Sequence, residues 1–120
     1  MNDNDFSHLV GKEDKEIKEE PLKKQGRKYD DGKLLWHLLP IESIESIVDV
    51  LSYGAAKYDS ENWKYVENAK DRYFSAFMRH VVAYRKGEIY DKESGKPHLS
   101  HAMTCLCFLY WFEHVKTLDK

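Results

Sequence analysis

The alternation of apolar and polar positions divides the chain into a polar lead and three helix-like segments. From Pro40, the residues Ile44, Ile47, Val48 and Leu51 recur at helical spacing and predict a first amphipathic helix with this core face. Pro40 and Glu42 are start signals, and Gly54 is expected to end or bend the helix. In the second segment Tyr73, Ala76, Phe77, Val81 and Tyr84 share one face, with His80 at its edge. Asn68, with Asp71 three residues on, predicts a capped start, and Arg85-Lys86-Gly87 predicts a basic last turn with a glycine stop. The third segment runs from Pro97 to about His114. Its body, Ala102 through Phe112, is apolar nearly all round and is expected to be the most buried helix. There is neither strand-like alternation nor an internal repeat. The expected fold is all-α, a small helical bundle.

Residues 1–26 are dominated by Asp, Glu and Lys. Such a segment buries too little apolar surface to offset its ordering entropy, so it is expected to be a charged, mobile arm, with residues 27–120 as the folded domain. Asp31-Gly32 marks a turn within Arg27–Lys33. The run Leu34–Leu39 stops at Pro40 and is expected to plug the core with Trp36 and its leucines. Between the first two helices lie Tyr53–Tyr58 and Asn62-Trp63. Aromatic rings, an amide and an ammonium in one loop can stack on a base, read its edge and meet its phosphates. The plainer reading is that Trp63 and Tyr58 close one end of the core.

Composition narrows the partners. With 120 residues the chain is one domain, and a net charge of −2 lacks the basic surplus that a DNA or RNA polymer requires. The longest apolar run, Cys105 to Phe112, is too short to span a membrane, and the acidic N-terminus has no apolar leader core. The two cysteines, Cys105 and Cys107, cannot easily bridge at their spacing. They are expected to be buried free thiols in a reducing cytoplasm. Three helices this apolar leave faces that one short chain cannot cover, so a homo-oligomer is expected.

The candidate chemistry is concentrated in Gly87–Ala102. Glu88, Asp91, Glu93, His98 and His101 fall within fourteen residues there. His98 and His101, three apart, share one face of the first turn of the third helix. Nothing in core packing asks for two histidines at that point. Glu88 and Asp91 form a Glu-x-x-Asp pair, and Glu42 and Glu45 a Glu-x-x-Glu pair. Carboxylates suit Mg²⁺ or Mn²⁺, while imidazoles admit Co²⁺, Fe²⁺ or Zn²⁺. Arg79, Lys57 and Lys33 are cations available to phosphate oxygens. A Walker-type loop, a dinucleotide fingerprint, a nucleophile elbow and a His-Asp dipeptide are all missing from the sequence.

These residues carry a resemblance that covers about Lys28 to Glu113. Lys-Tyr-Asp-x-Gly-Lys at Lys28–Lys33, Leu-Leu-Pro at Leu38–Pro40, and Tyr-Gly-Ala-x-Lys-Tyr at Tyr53–Tyr58 begin it. Asn62-Trp63, Arg79-His80, Gly87-Glu88-x-x-Asp91 and Glu93-Ser94-Gly95-x-x-His98-Leu-x-His101-Ala102 complete it. The sequence resembles a small family, common in phages, of dATP/dGTP diphosphohydrolases, which is similar in turn to the MazG-like all-α NTP pyrophosphohydrolases. The resemblance implies a bundle assembled as a dimer or tetramer, carboxylate-held Mg²⁺, and cleavage of an NTP to NMP and pyrophosphate. The sequence departs from that pattern. Its two carboxylate pairs are farther apart than usual, and His98 and His101 open the helix where a Glu-x-x-Asp pair would stand.

The expected function is therefore a metal-dependent nucleotide pyrophosphohydrolase cutting a purine dNTP to dNMP and pyrophosphate, in the cytoplasm of the host if phage-encoded. His80, Glu88, Asp91, His98 and His101 are the expected metal residues. Glu45, Glu88 and His101 are the expected catalytic residues. Lys33, Lys57 and Arg79 would hold phosphates, and Tyr58, Asn62 and Trp63 the nucleoside. The alternative is a nucleotide-sequestering phage protein without turnover. A third reading, a purely structural bundle, predicts no stabilisation by nucleotide.

Overall fold

The computed structural model describes residues 25–116. The chain divides into two units, Met1–Leu34 and Leu35–Lys120. In the described part of the first unit, the Lys33 N–H donates to the Asp30 carbonyl at 3.0 Å. Gly32 sits there at φ +77°, a conformation that glycine adopts without a Cβ penalty. The Asp-Gly turn is thus present. The charged segment 1–26, apart from Gln25 and Gly26, lies outside the described residues.

The second unit holds three α-helices: α1 at Ile41–Lys57, α2 at Ala69–Arg85 and α3 at His98–Tyr110. A π-helical turn, Trp111–Val115, continues α3, and short 3₁₀ turns lie at Trp36–Leu38 and Asn62–Tyr65. Among the described residues the sole β pairing is an isolated bridge between Tyr90 and Pro97. The architecture is all-α. α3 packs against both other helices, most extensively against α2.

α1 starts where Pro40 and Glu42 predict, with Pro40 in the cap position at φ −65°. It does not stop at Gly54. It runs on to Lys57, and the Tyr58 N–H closes onto the Gly54 carbonyl at 2.8 Å. Its buried face also differs from the expected one. Val50 is buried and Ser46 donates to Ser100 Oγ at 2.7 Å, whereas Val48 and Leu51 are exposed. The inner face carries serines, so apolar periodicity alone selects a neighbouring stripe.

α2 begins one residue after Asn68, but Asn68 makes no side-chain cap. It sits in the left-handed region at φ 53°, which asparagine tolerates better than most residues. The glycine stop is present at φ 102° for Gly87. The Gly87 N–H bonds the Tyr84 carbonyl at 2.9 Å and the Glu88 N–H bonds the Ala83 carbonyl at 3.0 Å, a Schellman closure. α3 is the most buried helix, with His98, Ser100, Ala102, Thr104 and Cys105 inside. It is one-sided rather than buried all round, since Leu99, Leu106 and Tyr110 face outward.

Two further expectations change. Trp36 is 71% exposed and its neighbouring leucines are exposed too, so the run before Pro40 does not plug the core among the described residues. Both cysteines are free, but only Cys105 is buried; Cys107 lies on the open side of α3. Phe74, Met78 and Val82 form a second exposed apolar row along α2, at helical spacing.

Candidate functional site

The site grows from the loop between α2 and α3. Glu88 is the first residue after the Gly87 closure of α2. The loop then folds back on itself. The Asp91 N–H bonds the Lys96 carbonyl at 2.8 Å, the Gly95 N–H bonds the Asp91 carbonyl at 2.8 Å, and Gly95 turns the chain at φ 73°. The His98 N–H bonds the Ile89 carbonyl at 2.9 Å and so ties the start of α3 to the exit of α2. Lys96 reaches Asp49 on α1 at 2.8 Å, and Lys57 pairs with Glu93. The Lys96 pairing uses Asp49, one helical turn after Glu45 on α1. The hydrogen bond from Lys57 to Glu93 holds the Lys57 ammonium above its ordinary range.

Inside the loop Asp91 is the hub. Its Oδ2 accepts from the Ser94 N–H at 2.9 Å and from the Ser94 hydroxyl at 2.8 Å. Burial, the largest single influence, pushes this carboxyl up, but the two Ser94 hydrogen bonds and the His101 and His80 rings together hold it below its ordinary value. Ser94 Oγ also lies 2.7 Å from His101 Nε2. The hydroxyl has one proton, and Asp91 takes it. His101 Nε2 must therefore carry the proton of that contact, and Nδ1 is the basic atom of the ring. Burial lowers the proton affinity of His101, against the opposing pull of Asp91.

His80 enters from α2. Its ring stacks on that of His101 with centroids 4.6 Å apart and planes 9° apart. Its Nδ1 lies 2.8 Å from His98 Nδ1. Burial and the neighbouring His101 and His98 rings push the His80 pKa down. One ligand atom each from His80, Asp91 and His98 lies within 4.8 Å of the others. His98 is only 5% exposed. Its Nε2 has Glu88 Oε2 at 3.2 Å, but out of line, so this buried atom has no hydrogen-bond partner. Two imidazole nitrogens bound side by side on one ion stand about 3 Å apart, so the donor set fits a divalent metal.

The polar cluster opens onto a cavity of about 380 Å³. His80, Asp91, Glu93, Ser94 and His101 line one part of it, and Trp63, Tyr73 and Phe108 another. The rings are fixed by one another. Trp63 stacks on Phe108 at 4.4 Å and meets Trp111 edge-on at 4.9 Å, and the Tyr73 hydroxyl donates to the Trp63 carbonyl at 3.1 Å. The walls carry Asp59, Asp91 and Glu93 against Lys57, three carboxylates to one ammonium. A polyanion meets a repulsive wall there unless a cation accompanies it.

The structure thus brings His80, Glu88, Asp91, His98 and His101 together, and puts Lys57, Tyr58, Asn62 and Trp63 on the cavity wall. Arg79 does not line that cavity; it faces a neighbouring cleft with Arg72 and Ser75. Glu45 is exposed on α1 and does not line the cavity either. Lys33 closes the turn in the first unit. Sequence reasoning gave no site role to Ser94, Tyr73 or Phe108, and counted Glu93 among the loop carboxylates without assigning it a role. The Asp-x-x-Ser spacing at Asp91–Ser94, typical of side chains that cap local backbone, is the signal that points to Ser94.

Fold and site together define a small all-α domain whose histidine–carboxylate cluster faces an aromatic cavity. The chain belongs to the family described as dATP/dGTP diphosphohydrolase, N-terminal, whose model matches residues 23–120. It is 34% identical over 86 residues to a dATP/dGTP diphosphohydrolase of Salmonella phage PMBT28. That match covers 72% of this chain and 29% of the relative, so the chain spans under a third of the relative's length. No solved structure matches the chain.

Proposed function

We propose that this domain is a metal-dependent nucleotide pyrophosphohydrolase that cuts a purine dNTP to dNMP and pyrophosphate. The observation that carries the reading is a cavity lined by rings suited to a base and by His80, Asp91 and His101, where His80 and Asp91 also belong to the close His80–Asp91–His98 set. The name of the phage relative supports the substrate class. On this reading the base lies against the Trp63 and Phe108 side, Asn62 reads a base edge, and Lys57 exchanges Glu93 for a phosphate oxygen. A divalent ion, Mg²⁺ or Mn²⁺ with Co²⁺, Fe²⁺ or Zn²⁺ as imidazole-suited options, would be held by His80, Asp91 and His98, and when bound supplies charge neutralisation and a more acidic water. A water oxygen attacks the α-phosphorus, the bond to the bridging oxygen breaks, and pyrophosphate leaves. His101 Nδ1 takes the proton of that water. The depressed proton affinity of His101 keeps the ring neutral and available as a base near neutral pH.

We also propose that the domain self-associates as a homodimer or homotetramer. The exposed rows Phe74-Met78-Val82 on α2 and Leu99-Leu106-Tyr110 on α3 support this. Among the described residues no helix is long and apolar enough to cross a membrane. The substrate assigns the activity to the cytoplasm where dNTPs are made, that of the host for a phage protein.

A second reading is favoured by coverage. The family is an N-terminal one, and the match takes in 29% of the relative. On that reading the domain holds the nucleotide and turnover lies in the remainder of such longer proteins. A panel of ribo- and deoxynucleotides with Mg²⁺, Mn²⁺ and Co²⁺, resolved by chromatography, separates the two. Monophosphate with pyrophosphate is the expected result. Stoichiometric depletion of one nucleotide with no product favours the second reading, and neither outcome with any pair removes both.

A further inference from the structure

We infer that the metal centre is entered through the Nδ1 atoms of both His80 and His98, and that Glu88 is a positioning residue that holds His98 for it rather than a ligand. The inference rests on the metal dependence proposed above. Its starting point is the 2.8 Å contact between the two Nδ1 atoms. Two N–H groups cannot face each other at that distance, and two lone pairs repel unless a cation sits beside them. Without an ion, one ring must donate to the other.

Glu88 decides which ring donates. Its Oε2 lies 3.2 Å from His98 Nε2, and that nitrogen is buried without another partner. A lone pair on Nε2 would oppose a carboxylate oxygen, while an N–H would be attracted to it. His98 therefore carries its proton on Nε2, and its Nδ1 lone pair points at His80. The ring is already in the tautomer a ligand needs. His80 is the donor in the metal-free state, and it must shift its proton to Nε2 when an ion binds between the two rings. Outer carboxylates that orient a ligating histidine in this way are a general device of metal sites.

The placement of Glu88 follows from backbone chemistry. The Gly87 closure sets it three residues beyond the end of α2, and the His98-to-Ile89 backbone bond sets His98 beside it. Glu88 is absent from the tight His80–Asp91–His98 group. Two imidazoles and one carboxylate favour a borderline ion such as Mn²⁺, Fe²⁺, Co²⁺ or Zn²⁺ over Ca²⁺. Three protein ligands leave positions for solvent and phosphate oxygens.

The test is imidazole ¹⁵N NMR of the whole chain, at a pH above the imidazole range, with and without Zn²⁺ as the probe. Metal-free protein is expected to show His98 as the Nε2–H tautomer and His80 as the Nδ1–H tautomer. With Zn²⁺ both rings become Nε2–H with ligated Nδ1. Glu88→Ala is expected to weaken Zn²⁺ binding by about 10- to 100-fold, with Glu88→Gln in between because its amide oxygen keeps a partial negative charge beside Nε2. Both variants keep the native helical circular dichroism. Ligation of His98 through Nε2, undiminished Zn²⁺ affinity in Glu88→Ala, or no Zn²⁺ binding by the native chain would overturn the inference. Zn²⁺ bound in this way with no nucleotide turnover keeps the inference and removes the pyrophosphohydrolase reading alone.

Discussion

In one part of the cavity Asp91, Ser94 and His101 are fixed by three hydrogen bonds of 2.7 to 2.9 Å between one loop and the first turn of α3. In another, Trp63, Tyr73 and Phe108 from three different elements are held by ring contacts and one hydrogen bond to a carbonyl. The first part is directional. Each bond depends on one atom, so removing an atom redistributes protons across the cluster. The second is non-directional, and its energy scales with the area removed from water. Polar changes should therefore abolish chemistry with little loss of fold, and ring truncations should cost stability and base binding together.

The largest expected effect comes from Asp91→Asn. It keeps the shape and an amide oxygen to accept from Ser94, but removes a charge from the His80–Asp91–His98 set. Turnover should fall on the order of a thousandfold, measured as monophosphate release, with the thermal midpoint little changed. Wild-type turnover in this variant would move the chemistry out of the loop.

Next is Trp63→Ala. Loss of the stack on Phe108 and the edge contact with Trp111 should destabilise the domain by about 3 kcal/mol in denaturant titration and weaken nucleotide binding. A stable variant with unchanged affinity would separate the rings from the base site. Ser94→Ala is milder, at about 1 kcal/mol, since Asp91 keeps the backbone N–H of residue 94. With one support gone the Asp91 carboxyl rises toward its ordinary value, so the acid limb of the activity profile should move to higher pH.

The smallest effect concerns the cysteines. Burial pushes the Cys105 thiol from 9.0 to about 11, while Cys107 is exposed. Iodoacetamide near neutral pH should label Cys107 alone, and both thiols only in denaturant. For an acid whose folded value is raised, the linked stability is intact below the ordinary thiol value and is lost as pH rises toward about 11. Labelling of Cys105 in the native protein at neutral pH would contradict its burial.

Much of this contrast was legible in the sequence. The three helices, the Asp31-Gly32 turn, the Gly87 stop and the histidines opening α3 all follow from local chemistry. What escaped depends on neighbours that spacing does not reveal. Arg79 sits next to His80, and successive helical residues point about 100° apart, so the two cannot both face the cavity. On α1 two stripes compete, and Ser46 wins a place inside through its bond to Ser100 while Val48 and Leu51 face out. Glu45 shares a stripe with Asp49, yet Lys96 engages only Asp49. Ser94 has no nucleophile-elbow context in the sequence, and its role shows only when Asp91 and His101 are seen on either side of it.

The central claim is that the cavity takes a nucleotide together with a divalent ion at its histidine–carboxylate cluster. Calorimetric titration with a dATP analogue blocked at the α–β bridge, in Mn²⁺ and in chelator, tests it most directly. With three carboxylates against one ammonium on the walls, affinity should fall by at least about tenfold in chelator and become metal-independent in Asp91→Asn. Equal affinity in Mn²⁺ and chelator for the native chain would contradict the account.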